Sequence, residues 1–212
     1  MPCDLTRFLS AWFPCLTLEA GLFYRWPIGI RFELAGQSPS LSERISQATY
    51  RAAALYEAAF AVHDQCVLVS QDWRGDCESA SPQRLSLLFA FSRTEGIGLS
   101  DPVGEVEVLA TGESGDDTSH TLKWTEQPAR NFKYREIFLG IANADHGLEP
   151  SIGGRVYFLN PGSQVILHMY DDRGLDVVAT DKRSLNALYE NFNAWILDYD
   201  RARIDAVFSD AR

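Results

Sequence analysis

Several signatures that would announce a familiar enzyme are missing from this sequence. There is no Gly-x-Ser-x-Gly elbow, no P-loop and no Gly-x-Gly-x-x-Gly followed by a suitable helix, which sets aside the common nucleophile and phosphate-cradle classes and leaves only an unfamiliar chemistry open. The four cysteines, Cys3, Cys15, Cys66 and Cys77, form no Cys-x-x-Cys pair, and Cys66 lies in an apolar run where a buried free thiol is expected. His63, His120 and His146 are scattered and match neither zinc-finger nor His-Glu-x-x-His spacing. No apolar run reaches the roughly 18 residues of a membrane span, and no charged-then-apolar leader opens the chain. These absences predict a cytoplasmic protein in a reducing compartment, with no membrane association. Basic residues are also few, 19 against 29 acidic, for a net charge of −10. That balance repels nucleic-acid phosphates, and it either serves solubility alone or steers a basic partner towards the surface.

What the chain does have is apolar patterning. Hydrophobic residues make up 46% of the 212 residues, ample for a core, with no internal repeat and no low-complexity linker. The organising stretch is the C-terminal third. RVYFLN at 155–160, QVILHMY at 164–170 and LDVVAT at 175–180 read as three antiparallel strands in a meander. Val165, Leu167 and Met169 alternate with Ile166, His168 and Tyr170, so apolar atoms face both ways and the middle strand is predicted to be central. Asn160-Pro161-Gly162 closes the first hairpin. Asp171-Asp172-Arg173-Gly174 closes the second, the aspartates bonding nearby backbone N–H groups and Gly174 supplying a positive φ. After Thr180-Asp181, an N-cap, Leu185, Leu188, Tyr189, Phe192, Trp195, Ile196 and Tyr199 recur at helical spacing and predict one long amphipathic helix lying on the meander.

Upstream, Leu5 to Phe13 reads as a short helix ending at Pro14. LFYRWPIGIRFELAG at 22–36 reads as a strand pair or one bent strand, with Ile28, Ile30, Phe32 and Leu34 on one face and Arg31 and Glu33 on the other. Ser40 to Glu43 has capping-box spacing before a helix running towards His63. CVLVSQDW from Cys66 is a buried strand. Ser81-Pro82 suits a helix start before LSLLFAF, a run that equally suits a strand. EVEVLA and HTLKWTEQ read as strands flanking an exposed acidic loop at 111–118, and Asn131 as the cap of a helix carrying Tyr134, Ile137, Phe138 and Ile141. The expected architecture is α+β: one domain over 1–212, with a soft boundary near Pro128, an antiparallel or mixed sheet, and a C-terminal module at 155–208 packed by amphipathic helices.

The candidate binding residues fall in three groups. The hairpin tip offers Asp171, Asp172 and Arg173, where turn geometry competes with a metal cluster completed by His168 and Asp176, and where an intramolecular Arg173–carboxylate clamp is expected. The Trp26 segment offers Trp26, Arg31 and Glu33, either a partner patch or a cross-strand ion pair beside core aromatics. The acidic loop offers Glu113, Asp116 and Asp117. No catalytic residue, metal ligand or cofactor is assigned.

WPIGIRFELAG at 26–36, YDDRGLDVVAT at 170–180 and YENFNAWILDYDR at 189–201 together resemble a bacterial domain-of-unknown-function family carrying a DDRG signature. That resemblance implies no activity. The layout of VYFLN, VILHMYDDRGLDVVAT and LNALYENF is similar to the C-terminal part of SMI1/KNR4-like immunity proteins, which neutralise toxins by binding them. It implies a non-enzymatic protein that occludes a partner, such as a basic toxin domain. An enzyme with a polar site around the hairpin, using His168, Asp171, Asp172 and Arg173, is the alternative.

Overall fold

The computed structural model describes residues 3–38, 40–61, 64–73, 87–111 and 117–209. The fold is α+β, built on one seven-stranded antiparallel sheet. Its strands are β1 (Gly29–Glu33), β2 (Gln65–Trp73), β3 (Gly104–Thr111), β4 (Asp117–Pro128), β5 (Arg155–Asn160), β6 (Val165–Met169) and β7 (Gly174–Ala179), in the order β1-β7-β6-β5-β2-β4-β3. The expected meander is there as β5-β6-β7. Every residue of β6 and β7 is buried, which explains why their apolar residues do not restrict themselves to one parity.

The two faces of the sheet carry separate cores. Leu68, Phe158, Leu167, Val177 and Phe32 point to a helical layer made by α3 (Leu41–Ala59), α4 (Leu87–Thr94), α5 (Tyr134–Ala144), α6 (Asn186–Asn191) and α7 (Arg201–Phe208). Aromatic contacts knit this layer: the Tyr56 ring stacks on Tyr134 at 4.4 Å and meets Phe158 edge-on at 5.0 Å. Each fully buried ring of this kind stabilises by roughly 1.5–3 kcal/mol. Val69, Tyr157, Ile166 and Val178 point the other way, onto α1 (Leu5–Trp12), α2 (Leu22–Arg25) and the loop between them. No described helix is long and apolar enough to cross a membrane.

Local signals behave as the side chains dictate. Ser40 Oγ accepts from the Glu43 N–H at 3.3 Å and starts α3, and Asp181 accepts from the Arg183 N–H at 2.9 Å. Three expectations need correction. The 22–36 run is not a strand pair: its first half is the single turn α2, and only 29–33 is strand, since Pro27 keeps the preceding residues from joining the sheet. Asn131 sits in a 3₁₀ turn, and α5 follows without a side-chain cap. The long C-terminal helix is broken, because Ile196 and Leu197 become extended (ψ 131° and 120°) to cover the outer edge of β1. Phe32 bridges Ile196, and the Leu197 N–H donates to the Arg31 carbonyl at 3.0 Å. An edge strand covered this way no longer offers a free ladder to another chain, and Tyr199, expected on the apolar stripe, is 87% exposed. Residues 87–94 are helical, while the Ser81-Pro82 start lies outside the described residues.

Candidate functional site

Across the sheet face covered by the N-terminal segment runs a row of polar side chains in an otherwise apolar surface. Arg31 on β1 is registered opposite Asp176 on β7, and Asp176 opposite His168 on β6. The Tyr157 ring on β5 stacks on His168 at 4.3 Å, and its hydroxyl donates to Gln71 Oε1 on β2 at 3.1 Å. Four adjacent strands thus contribute one polar residue each at the same level, and Gln71, two residues along β2 and registered opposite Arg155, extends the row. Buried polar groups survive only when paired, and most of these are.

Arg31 is the most heavily constrained member. It donates to both oxygens of Asp176, at 2.7 and 2.9 Å, and its guanidinium lies over Tyr24 at 4.4 Å and Tyr170 at 5.2 Å. Burial works against the Arg31 charge, and the hydrogen bonds and charge of Asp176 outweigh it, so the cation is held more firmly than a free arginine. The Tyr24 hydroxyl donates to Asp200 at 3.0 Å, which fixes the ring that covers Arg31. The Asp176 carboxylate also accepts from the Phe23 N–H at 3.2 Å, tying α2 to the row.

Gln71 Nε2 has no partner among the described residues, and on the acceptor side the unused capacity belongs to His168. Its Nδ1 lies 2.9 Å from the Val156 carbonyl, and because a carbonyl only accepts, Nδ1 carries the proton. Burial pulls the pKa down to about 4, so the ring is neutral at pH 7 and Nε2 presents a lone pair. That nitrogen is buried and meets no hydrogen-bond partner among the described residues.

Above the row opens a cleft of about 480 Å³, lined among others by Tyr24, Arg31, Arg155, His168, Tyr170 and Arg173. Three guanidinium groups thus meet one lining carboxylate, Asp171. Each arginine has an acceptor that orients it: Asp176 for Arg31, Gln71 Oε1 for Arg155 at 3.3 Å, and Asp171 for Arg173 at 2.7 Å from Nε. Gly21, in the left-handed region (φ 74°), brings the backbone to the rim, 3.7 Å from Arg31 Nη2 by its would-be Cβ. Burial pushes the Tyr170 phenol up, so it stays protonated.

The hairpin tip divides its aspartates between two directions. Asp171 accepts from the Arg173 N–H at 2.7 Å and from the Arg173 guanidinium, the expected turn and clamp in one residue. Asp172 turns to the helical side, where Arg44 of α3 and His146, 3.2 Å away, hold it. Burial alone would raise its carboxyl, but the Arg44 and His146 hydrogen bonds reverse that and hold it below the usual range. Gly174 does not have the positive φ expected of it. Glycine is needed there because a Cβ would collide with the Tyr170 phenol and lie 3.1 Å from the Phe32 carbonyl.

The other predicted residues separate. Trp26 lies outside β1, donates its indole N–H to the Ala179 carbonyl at 2.7 Å and packs on Phe13 at 5.0 Å, a packing role away from the cleft. Glu33 is exposed at the end of β1 and does not pair with Arg31, whose partner is Asp176. Glu113 and Asp116 lie outside the described residues, and Asp117 begins β4. Among the described residues no three His, Cys, Asp or Glu side chains gather as a metal site requires; Asp171, Asp172 and Asp176 answer three different arginines. Sequence reasoning missed Arg155, Tyr24 and Tyr170. The available signal was His168 and Asp176 standing in strands whose neighbours are apolar on both faces.

No solved structure matches the chain significantly. Uncharacterized protein YnaE of Bacillus subtilis (strain 168) is similar, 32% identical over 76 residues, covering 33% of this chain and 36% of that protein. The profile of one family, described as a domain of unknown function, matches residues 5–200. The chain therefore belongs to the DUF3885 family.

Proposed function

We propose that this protein works by recognition, holding a small anionic ligand in the cleft between β1, β5, β6 and the hairpin tip. The observation that carries the reading is the preorganised set Arg31, Arg155 and Arg173, each oriented by an internal acceptor before any ligand arrives. Guanidinium groups keep further N–H donors after one carboxylate is satisfied, and fixed donors bind anions without an ordering cost. Acid–base catalysis fits less well. The nearby carboxylates Asp171 and Asp176 are committed to arginines, and an imidazole with a pKa of about 4 is a weak proton acceptor at neutral pH. The test is a thermal-shift titration of the full chain with small anions. A saturable rise in Tm that is lost in Arg155→Gln and Arg173→Gln supports the reading; no rise with any anion overturns it.

The net charge of −10 favours a second reading, in which the acidic surface recognises a basic protein. The SMI1/KNR4-like layout of the C-terminal segments would make that protein a toxin domain and this one its immunity partner. Co-expression with the product of a neighbouring gene tests it. Relief of a growth defect together with co-purification supports the reading, and failure of both removes it.

A further inference from the structure

The chemistry of His168 narrows what the cleft can accept, given the reading of that cleft as an anion site. We propose that the ligand is an oxyanion bearing its own O–H beside the charge, as a singly protonated phosphate or an α-hydroxy carboxylate does, and that this O–H donates to His168 Nε2.

The cleft is rich in donors and nearly empty of available acceptors. Arg31, Arg155 and Arg173 only donate. Asp171 is taken by the Arg173 backbone and guanidinium, and the Tyr24 hydroxyl is turned to Asp200. His168 lines the cleft and is 1% exposed, its Nδ1 proton is spent on Val156, and its buried Nε2 lone pair has no partner among the described residues. Sulfate or acetate would satisfy the arginines while setting oxygen lone pairs against that nitrogen. Phosphate or glycolate satisfies both. A site with a buried polar group to fill rejects an analogue that lacks the matching proton far more strongly than an apolar pocket rejects a change of size. Burial keeps the His168 ring neutral and the Val156 carbonyl fixes its tautomer; of the charged groups facing it, Asp176 on β7 and Asp171 at the hairpin favour the charged form and Arg155 on β5 opposes it, with Arg31 on β1, Tyr157 on β5 and Tyr170 at the hairpin completing the surround.

Calorimetric titration of the full chain at neutral pH and constant ionic strength decides the matter, with inorganic phosphate against sulfate and glycolate against acetate. The expected result is phosphate and glycolate each binding at least about tenfold tighter than its partner. In His168→Leu those ratios should collapse towards one through loss on the O–H-bearing side alone. Should that variant not fold, the wild-type ratios still decide. Equal binding of all four anions overturns the O–H requirement and leaves the anion reading standing. Binding of none overturns that reading and this inference with it.

Discussion

Arg31 and Asp176 face each other on neighbouring strands with two hydrogen bonds between them, and the carboxylate side chain is fully buried while the guanidinium is 12% exposed. The carboxylate thus depends wholly on protein partners, whereas the arginine keeps one edge towards the cleft. The pair links fold and cleft: it anchors β1 to β7, pins α2 through Phe23, and leaves Arg31 lining the cleft.

Comparing a variant that strands one charge with one that removes both tests this coupling. Asp176→Ala should destabilise by about 3–5 kcal/mol, because it leaves a desolvated cation without its partner. Arg31→Met with Asp176→Leu should recover much of that loss, since neither charge then remains buried. Urea unfolding provides the values. A double variant as unstable as the single one would show that the pair sets the local fold through shape and not through charge.

The His168 ring gives stability a defined acid limb. Its folded pKa, about 4, lies below the ordinary 6.5, so between those values the unfolded chain binds a proton that the folded chain refuses. Its contribution is complete above pH 6.5 and falls away as pH drops towards 4, by roughly 3 kcal/mol over the window. His168→Asn should flatten that part of the stability–pH curve measured by denaturant unfolding, whatever it does to stability at neutral pH.

Gly174→Ala probes the hairpin tip. The added methyl meets the Tyr170 phenol, and overpacking of this kind costs about 1–3 kcal/mol. Tyr170→Leu should relieve part of that cost in the double variant, a non-additivity that a backbone requirement at Gly174 would not produce. Unfolding free energies of the three variants settle it.

Leu197→Pro isolates the covering of the β1 edge. Leu197 has φ −62°, and the preceding Ile196 has φ −64° and ψ 131°, so a proline fits both without strain. The change removes the N–H that reaches the Arg31 carbonyl. About 1 kcal/mol of stability should be lost, with faster exchange at Arg31 and Phe32 in amide hydrogen-exchange measurements.

The locally encoded parts of this structure were readable in advance. Ser40 before α3, Asp181 at its cap and Asp171 in the hairpin satisfy neighbouring backbone groups within three residues, so their roles need no knowledge of the rest of the chain. The continuous helix expected after Asp181 failed for the opposite reason. Its apolar spacing was sound, with Leu185, Leu188 and Ile196 all buried, but residues 196 and 197 answer a strand edge more than 160 residues earlier.

The sequence by itself determined the α+β class, the β5-β6-β7 meander and its central strand, because periodicity and turn chemistry act over a few residues. Tertiary structure alone decided that Arg31, Asp176, His168 and Tyr157 share one level, that Asp171 and Asp172 part to opposite sides of the hairpin, and that Arg155 and Arg173 meet above them. Strand order brings these residues together across separations of up to 145 positions. No local pattern records which of a chain's charged side chains will be forced to satisfy one another once water has been excluded.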